Sequence, residues 1–127
     1  MRPPPHDGRL NDIAGREVDR CIRELPDELR VHASRIVVSL HKKPGRDMIR
    51  DGIEPDLLGL FLGKTMADEL TADFDMTPQI LLFINNIWDY AEHDMVAFRE
   101  EVRLTFLHEL GHFLGLEESD LEIRGLE

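Results

Sequence analysis

Residues 104–121 run LTFLHELGHFLGLEESDL, and the segment HELGH at 108–112 places two histidines four positions apart. Residues four apart on an α-helix lie on the same face, so both imidazoles can reach one ion. Zn²⁺ accepts nitrogen ligands at ~2.0–2.1 Å, and two such histidines supply half of a tetrahedral site. The spacing therefore predicts that His108 and His112 hold a single zinc ion.

Glu109 follows the first histidine, roughly 100° further round the helix. From there its carboxylate can reach a water on the metal without itself binding the metal. Zinc lowers the pKa of such a water towards ~7, so the carboxylate can take its proton as the water attacks a carbonyl carbon. We therefore expect Glu109 to act as a general base.

The residues around this motif are almost entirely apolar. Between Leu104 and Leu116 the only polar side chains are Thr105 and the three motif residues. A helix that is apolar nearly all round is typical of a buried position. Burying two histidines and a glutamate costs free energy unless something satisfies them, and a metal ion would do so.

The segment after the motif offers a third ligand. Gly115 lies three residues beyond His112, where the chain can leave the helix and turn back towards the metal. Glu118 then occupies the position at which longer forms of the HExxH motif place their third ligand. Asp120 and Glu117 are the alternatives.

The rest of the chain predicts a small α+β fold. The helical spacing of apolar residues predicts a first helix from Asp12 to about Leu25. Asp94 and Gly115 predict the start and the end of a long helix that carries the motif. Apolar and β-branched runs predict three strands, with Trp88 and Tyr90 in a connection after the third. The prediction is a small mixed sheet packed against an N-terminal helix and the long HExxH helix. The predicted strands are 35–41, 57–63 and 79–85, and the predicted loops are 42–55 and 64–78.

The second of these strands contains glycines, which suggest a sheet edge or a place where another backbone comes close. One hypothesis is that residues 58–62 hold an extended peptide by adding it to the sheet, with the acidic loop 64–78 as the candidate lid. The alternative is that Leu58 and Leu60 only pack the core.

Composition restricts the classes of partner. The chain has 26 acidic and 15 basic residues, for a formal charge of −11, which disfavours nucleic acids and anionic membranes. The single cysteine, Cys21, excludes an internal disulfide and is expected to be a core thiol. No apolar run is long enough to span a membrane. We expect a flexible tail over 1–11, one domain over 12–127, and a cytoplasmic location.

Three segments resemble one family. HELGHFLGLEESDL at 108–121 and LLGLFLGKT at 57–65, supported by PQILLFIN at 78–85, are similar to the bacterial mini-zincin, or zincin-like metallopeptidase, family. The resemblance covers about residues 12–124. It implies a reduced zincin fold, a zinc bound by His108 and His112, and Glu109 as general base. The family often has Asp where this chain has Glu118, and the resemblance indicates no substrate.

Two functions of different classes follow. The first is a zinc-dependent metallopeptidase acting on a peptide or protein substrate. The second is a catalytically silent zinc-binding module, structural or for interaction, that retains the HExxH helix. A single-zinc ribonuclease is disfavoured, because it would need a third histidine and a basic groove.

Overall fold

The computed structural model describes residues 7–63 and 77–115. These residues contain three short strands and five helices. The predicted α+β fold is confirmed: a small mixed sheet packs with an N-terminal helix and a long helix that carries HExxH. The elements in chain order are α1 (Asp7–Glu24), α2 (Asp27–Ala33), β1 (Val37–His41), α3 (Arg46–Arg50), β2 (Gly59–Leu62), β3 (Gln79–Phe83), α4 (Ile84–Tyr90) and α5 (Met95–Leu114).

The sheet has the strand order β1-β3-β2. β1 runs parallel to β3, and β2 runs antiparallel to it. β3 is central and is buried at four of its five positions, as its apolar sequence predicted. β2 lies at an edge, as its glycines predicted, and among the described strands it pairs only with β3.

One face of the sheet packs against the helical core. Ile80 and Leu82 of β3 belong to the core that α1, α4 and α5 complete. The register pairs Gly59 with Leu82 and Phe61 with Ile80, and directly paired residues share a face of the sheet. Gly59 and Phe61 of β2 therefore lie on the face against which α5 packs.

Helix α1 begins at Asp7, earlier than the predicted start at Asp12. Residues 7–11 are thus helical and not part of a flexible tail. The reason is Leu10, which lies one turn before Ala14 and extends the buried apolar stripe. Cys21 is buried in the same stripe, as predicted, and burial raises the pKa of its thiol to about 11.

The predicted connection after the third strand is wrong. The strand ends at Phe83, and the next seven residues form α4, which contains both Trp88 and Tyr90. Ile84, Ile87 and Trp88 are buried on one side of this helix, so their spacing of three and four is helical. The predicted loop 42–55 also contains a short helix, α3.

Both predicted ends of the motif helix are confirmed. Asp94 is the N-cap of α5, and its Oδ2 accepts a hydrogen bond of 2.8 Å from the backbone N–H of Ala97. Gly115 ends the helix in the left-handed conformation, with φ of 74°. Within the described ranges, no helix is both long and apolar enough to cross a membrane.

Replacing Asp94 by Ala should lower the free energy of unfolding by about 1 kcal/mol, because the first turn of α5 loses its side-chain acceptor. Urea denaturation measures this change. Asp94→Asn is the matched control, since asparagine caps a helix equally well, and it should remain near the wild-type value. Equal destabilisation by both variants would contradict the capping role.

Candidate metal centre

Helix α5 packs its apolar side inward and leaves the motif histidines on its outer side. Phe106 and Leu110 are fully buried against the core, whereas His108 and His112 are exposed. The inward side contacts α1, α4, β2 and β3. The surrounding fold therefore fixes the helix, and the helix in turn holds the two imidazoles on one face.

The two imidazole rings meet edge to face across one helical turn. Their centroids are 4.7 Å apart, and their planes make an angle of 86°. The Nε2 atoms of His108 and His112 lie 3.2 Å apart. Two Zn–N bonds of ~2.0–2.1 Å at a tetrahedral angle would place their nitrogens about 3.3 Å apart. The pair of nitrogens thus matches one edge of a zinc tetrahedron.

Glu109 completes a group of three potential ligands. One atom from each of His108, Glu109 and His112 lies within 4.8 Å of the other two. Two imidazoles and a carboxylate suit zinc and several other divalent ions. In the described part of the chain, these three residues form the one such group of histidine, cysteine or acidic side chains.

The predicted burial of these side chains is wrong. His108 and His112 are exposed and Glu109 is half-buried, although most of their neighbours on α5 are buried. Residues 108 and 112 are exposed because they lie outside the part of the helix surface that packs into the core. The cost of burial therefore does not argue for a metal; the spacing of the two nitrogens does.

Glu109 lies on the side of α5 that faces β2. A methyl group added at Gly59 would lie 3.4 Å from Cγ of Glu109. The stem of this glutamate therefore runs beside the backbone of the edge strand. This contact brings the predicted general base and the predicted peptide-binding strand to the same place.

Asn86 is a site-supporting residue that the sequence analysis did not identify. It is buried on α4, and its Nδ2 donates to the carbonyl oxygens of Pro55, at 2.8 Å, and Leu57, at 2.9 Å. These two bonds hold the loop that leads into β2. Asn86 fell in the connection predicted after the strand 79–85, so its place on a helix was not recognised.

The predicted third ligand falls in a part of the chain that is not described. Glu118 and its alternatives Asp120 and Glu117 all lie outside the described residues, which end at Gly115. The helix end predicted at Gly115, three residues after His112, is confirmed, and the predicted return towards the metal lies outside the described residues. The third ligand stays a prediction.

A small mixed sheet packed against a helix that presents His-Glu-x-x-His in this geometry is typical of the zincin class of metalloproteins. The sequence profile of the zincin-like metallopeptidase family matches residues 33–126, and the chain belongs to this family. The match begins at Ala33, so α1 and most of α2 precede it, whereas the resemblance was expected from about residue 12. A comparison with curated proteins gave no match.

Replacing His108 by Ala should weaken zinc binding at least about 100-fold, because only one of the two imidazole ligands then remains. Competition with a chromophoric chelator measures the zinc affinity. His41→Ala removes an exposed histidine that is not part of the group and should leave the affinity unchanged. Equal zinc affinities of wild type and His108→Ala would exclude the site.

Proposed function

We propose that this protein is a zinc-dependent peptidase that hydrolyses peptide bonds with Glu109 as general base. One observation carries the proposal: the Nε2 atoms of His108 and His112 lie 3.2 Å apart, with a carboxylate oxygen of Glu109 inside the same 4.8 Å group. Membership of the zincin-like metallopeptidase family supports it.

His108 and His112 would hold the zinc through their Nε2 atoms. When bound, zinc acts as a Lewis acid on a carbonyl oxygen and lowers the pKa of water towards ~7. Two histidines alone leave coordination positions for a further protein ligand, for water and for substrate. Glu118 is our proposed third ligand, with Asp120 as the alternative.

Glu109 would carry the proton. Its carboxylate accepts a proton from the attacking water as the oxygen–carbon bond forms, and it then donates that proton to the departing amine nitrogen. A half-buried carboxylate beside an exposed imidazole pair suits this role, because its oxygen lies within 4.8 Å of the two nitrogens that would hold the metal.

The edge strand β2 would hold the substrate. No described strand pairs with the outer edge of β2. An extended peptide can add to such an edge through main-chain hydrogen bonds. A Cβ atom added at Gly59 of this strand would lie 3.4 Å from Cγ of Glu109, so a peptide lying along β2 would pass close to the general base. Substrate peptides with positively charged side chains are favoured, because the protein carries a formal charge of −11.

A purely structural role for zinc has less support. Structural zinc sites are closed by four protein ligands and supply folding energy. Here both histidines are exposed on a helix whose other side is already buried, and Cys21 lies in the core at α1. The helix therefore has its packing without a metal, and the ligands are open to solvent.

Replacing Glu109 by Gln should lower the rate of peptide hydrolysis about 10²–10⁴-fold, since a general base contributes that much to such a reaction. Zinc affinity and the free energy of unfolding should stay close to the wild-type values, because glutamine keeps the shape of the side chain. Cleavage of a mixture of internally quenched peptides by the zinc-loaded protein measures the rate.

Glu100→Gln is the matched control: it neutralises an exposed glutamate on the same helix and should retain full activity. Wild-type protein that cleaves no peptide with zinc bound, together with unfolding of Glu109→Gln, would instead establish the zinc-binding module without catalysis.

A further inference from the structure

The edge strand packs closely against the motif helix at Gly59. A Cβ atom at Gly59 would lie 2.5 Å from Cγ2 of Thr105 and 3.4 Å from Cγ of Glu109, both on α5. It would also lie 3.3 Å from the carbonyl oxygen of Leu81 on β3. Carbon atoms in contact sit about 3.5–4.0 Å apart, so any side chain here must push β2 and α5 apart by about 1 Å.

The need for glycine at this position comes from the close approach and not from backbone conformation. Gly52, Gly63 and Gly115 have positive φ angles, whereas Gly59 does not. Thr105 cannot easily move aside, because it is 9% exposed and a β-branched side chain has few rotamers in a helix. The carbonyl oxygen of Leu81 belongs to the central strand and is equally fixed.

Contacts on either side of Gly59 hold the strand in place against β3, α4 and α5. Before it, the backbone N–H of Phe83 donates to the carbonyl oxygen of Leu58 at 2.9 Å, and Asn86 holds the preceding loop. After it, the ring of Phe61 packs on the ring of Phe113 of α5, with centroids 5.8 Å apart. β2 therefore has a defined position beside α5, and an added side chain at Gly59 would collide with that helix.

We propose that Gly59 is a positioning residue that sets the distance between the peptide-binding edge of β2 and the metal and general base on α5. The inference rests on the proposed function, because it assumes that a peptide lies along β2. A bound peptide takes its position from β2, whereas the zinc and Glu109 take theirs from α5. Widening the gap at residue 59 moves the scissile carbonyl relative to both.

Two hydroxamates separate metal binding from strand binding. Acetohydroxamate needs only an open zinc, whereas trileucine hydroxamate needs the zinc and a correctly placed β2. Titration calorimetry on the zinc-loaded protein gives both affinities and requires no hydrolysis. In Gly59→Ala, trileucine hydroxamate should bind at least about 10-fold more weakly, since a displacement near 1 Å can cost up to 10²-fold. Acetohydroxamate should bind as it does to the wild type.

A second substitution tests the cause. Thr105→Ser removes the Cγ2 atom that meets the new Cβ at 2.5 Å, and it keeps the hydroxyl group. Gly59→Ala with Thr105→Ser should recover the affinity for trileucine hydroxamate to within about 3-fold of wild type. Gly15→Ala is the matched control, because an added Cβ there meets nothing within 4 Å, and it should change neither affinity.

The proposal is overturned if Gly59→Ala binds trileucine hydroxamate as tightly as the wild type does. It is also overturned if the wild type binds both hydroxamates equally well. Where Gly59→Ala alone does not fold, the double variant decides: recovered folding and affinity support the proposal, and recovered folding with lost affinity contradicts it. A protein that shows the hydroxamate pattern but cleaves no peptide would refute the proposed catalysis and leave the role of Gly59 intact.

Discussion

The site depends on the packing of one helix. Phe98, Val102, Phe106, Leu110 and Phe113 form a continuous, fully buried seam along α5. Each such side chain contributes about 1.5–3 kcal/mol by leaving water, so the seam holds the helix firmly against the sheet and α1. The α-helical repeat then places residues 108 and 112 on the outer face, one above the other. The spacing of the two imidazoles is thus fixed by apolar contacts on the other side of the helix.

Two elements form the proposed active site. Helix α5 would supply the metal ligands and the general base, and β2 would supply the edge along which a peptide lies. We propose that their separation is set at Gly59, where an added Cβ atom would meet Thr105 and Glu109, and Asn86 holds the loop that leads to this point. Helix α1 lies outside the matched family region but packs on α5, so it supports the motif helix from the side.

Much of this arrangement could be predicted from sequence, because the relevant signals are local. The caps at Asp94 and Gly115 and the four-residue spacing of the histidines depend only on helix geometry. The central strand was recognisable but its end was not: the apolar run continues through Ile84, where the period changes from strand to helix without a turn residue between. Leu10 was missed because its neighbours are polar, although it lies one turn before the first core residue of the predicted helix.

Contacts between distant segments could not be predicted. Nothing in the sequence near Gly59 identifies Thr105 and Glu109 as its neighbours, and Asn86 bonds to carbonyl oxygens 29 and 31 residues away. Exposure also depends on how the helix is rotated against the sheet. The apolar sequence around the motif therefore suggested buried histidines, whereas the packing turns them outward.

We propose that His108 and His112 bind one zinc ion through nitrogens that already lie at the right separation. X-ray absorption at the zinc edge, on protein loaded with one equivalent of zinc, identifies the ligands of the ion. We expect two imidazole nitrogens and further oxygen ligands at about 2.0–2.1 Å. A spectrum without imidazole scattering, or zinc that is lost on gel filtration of the wild type, would contradict it.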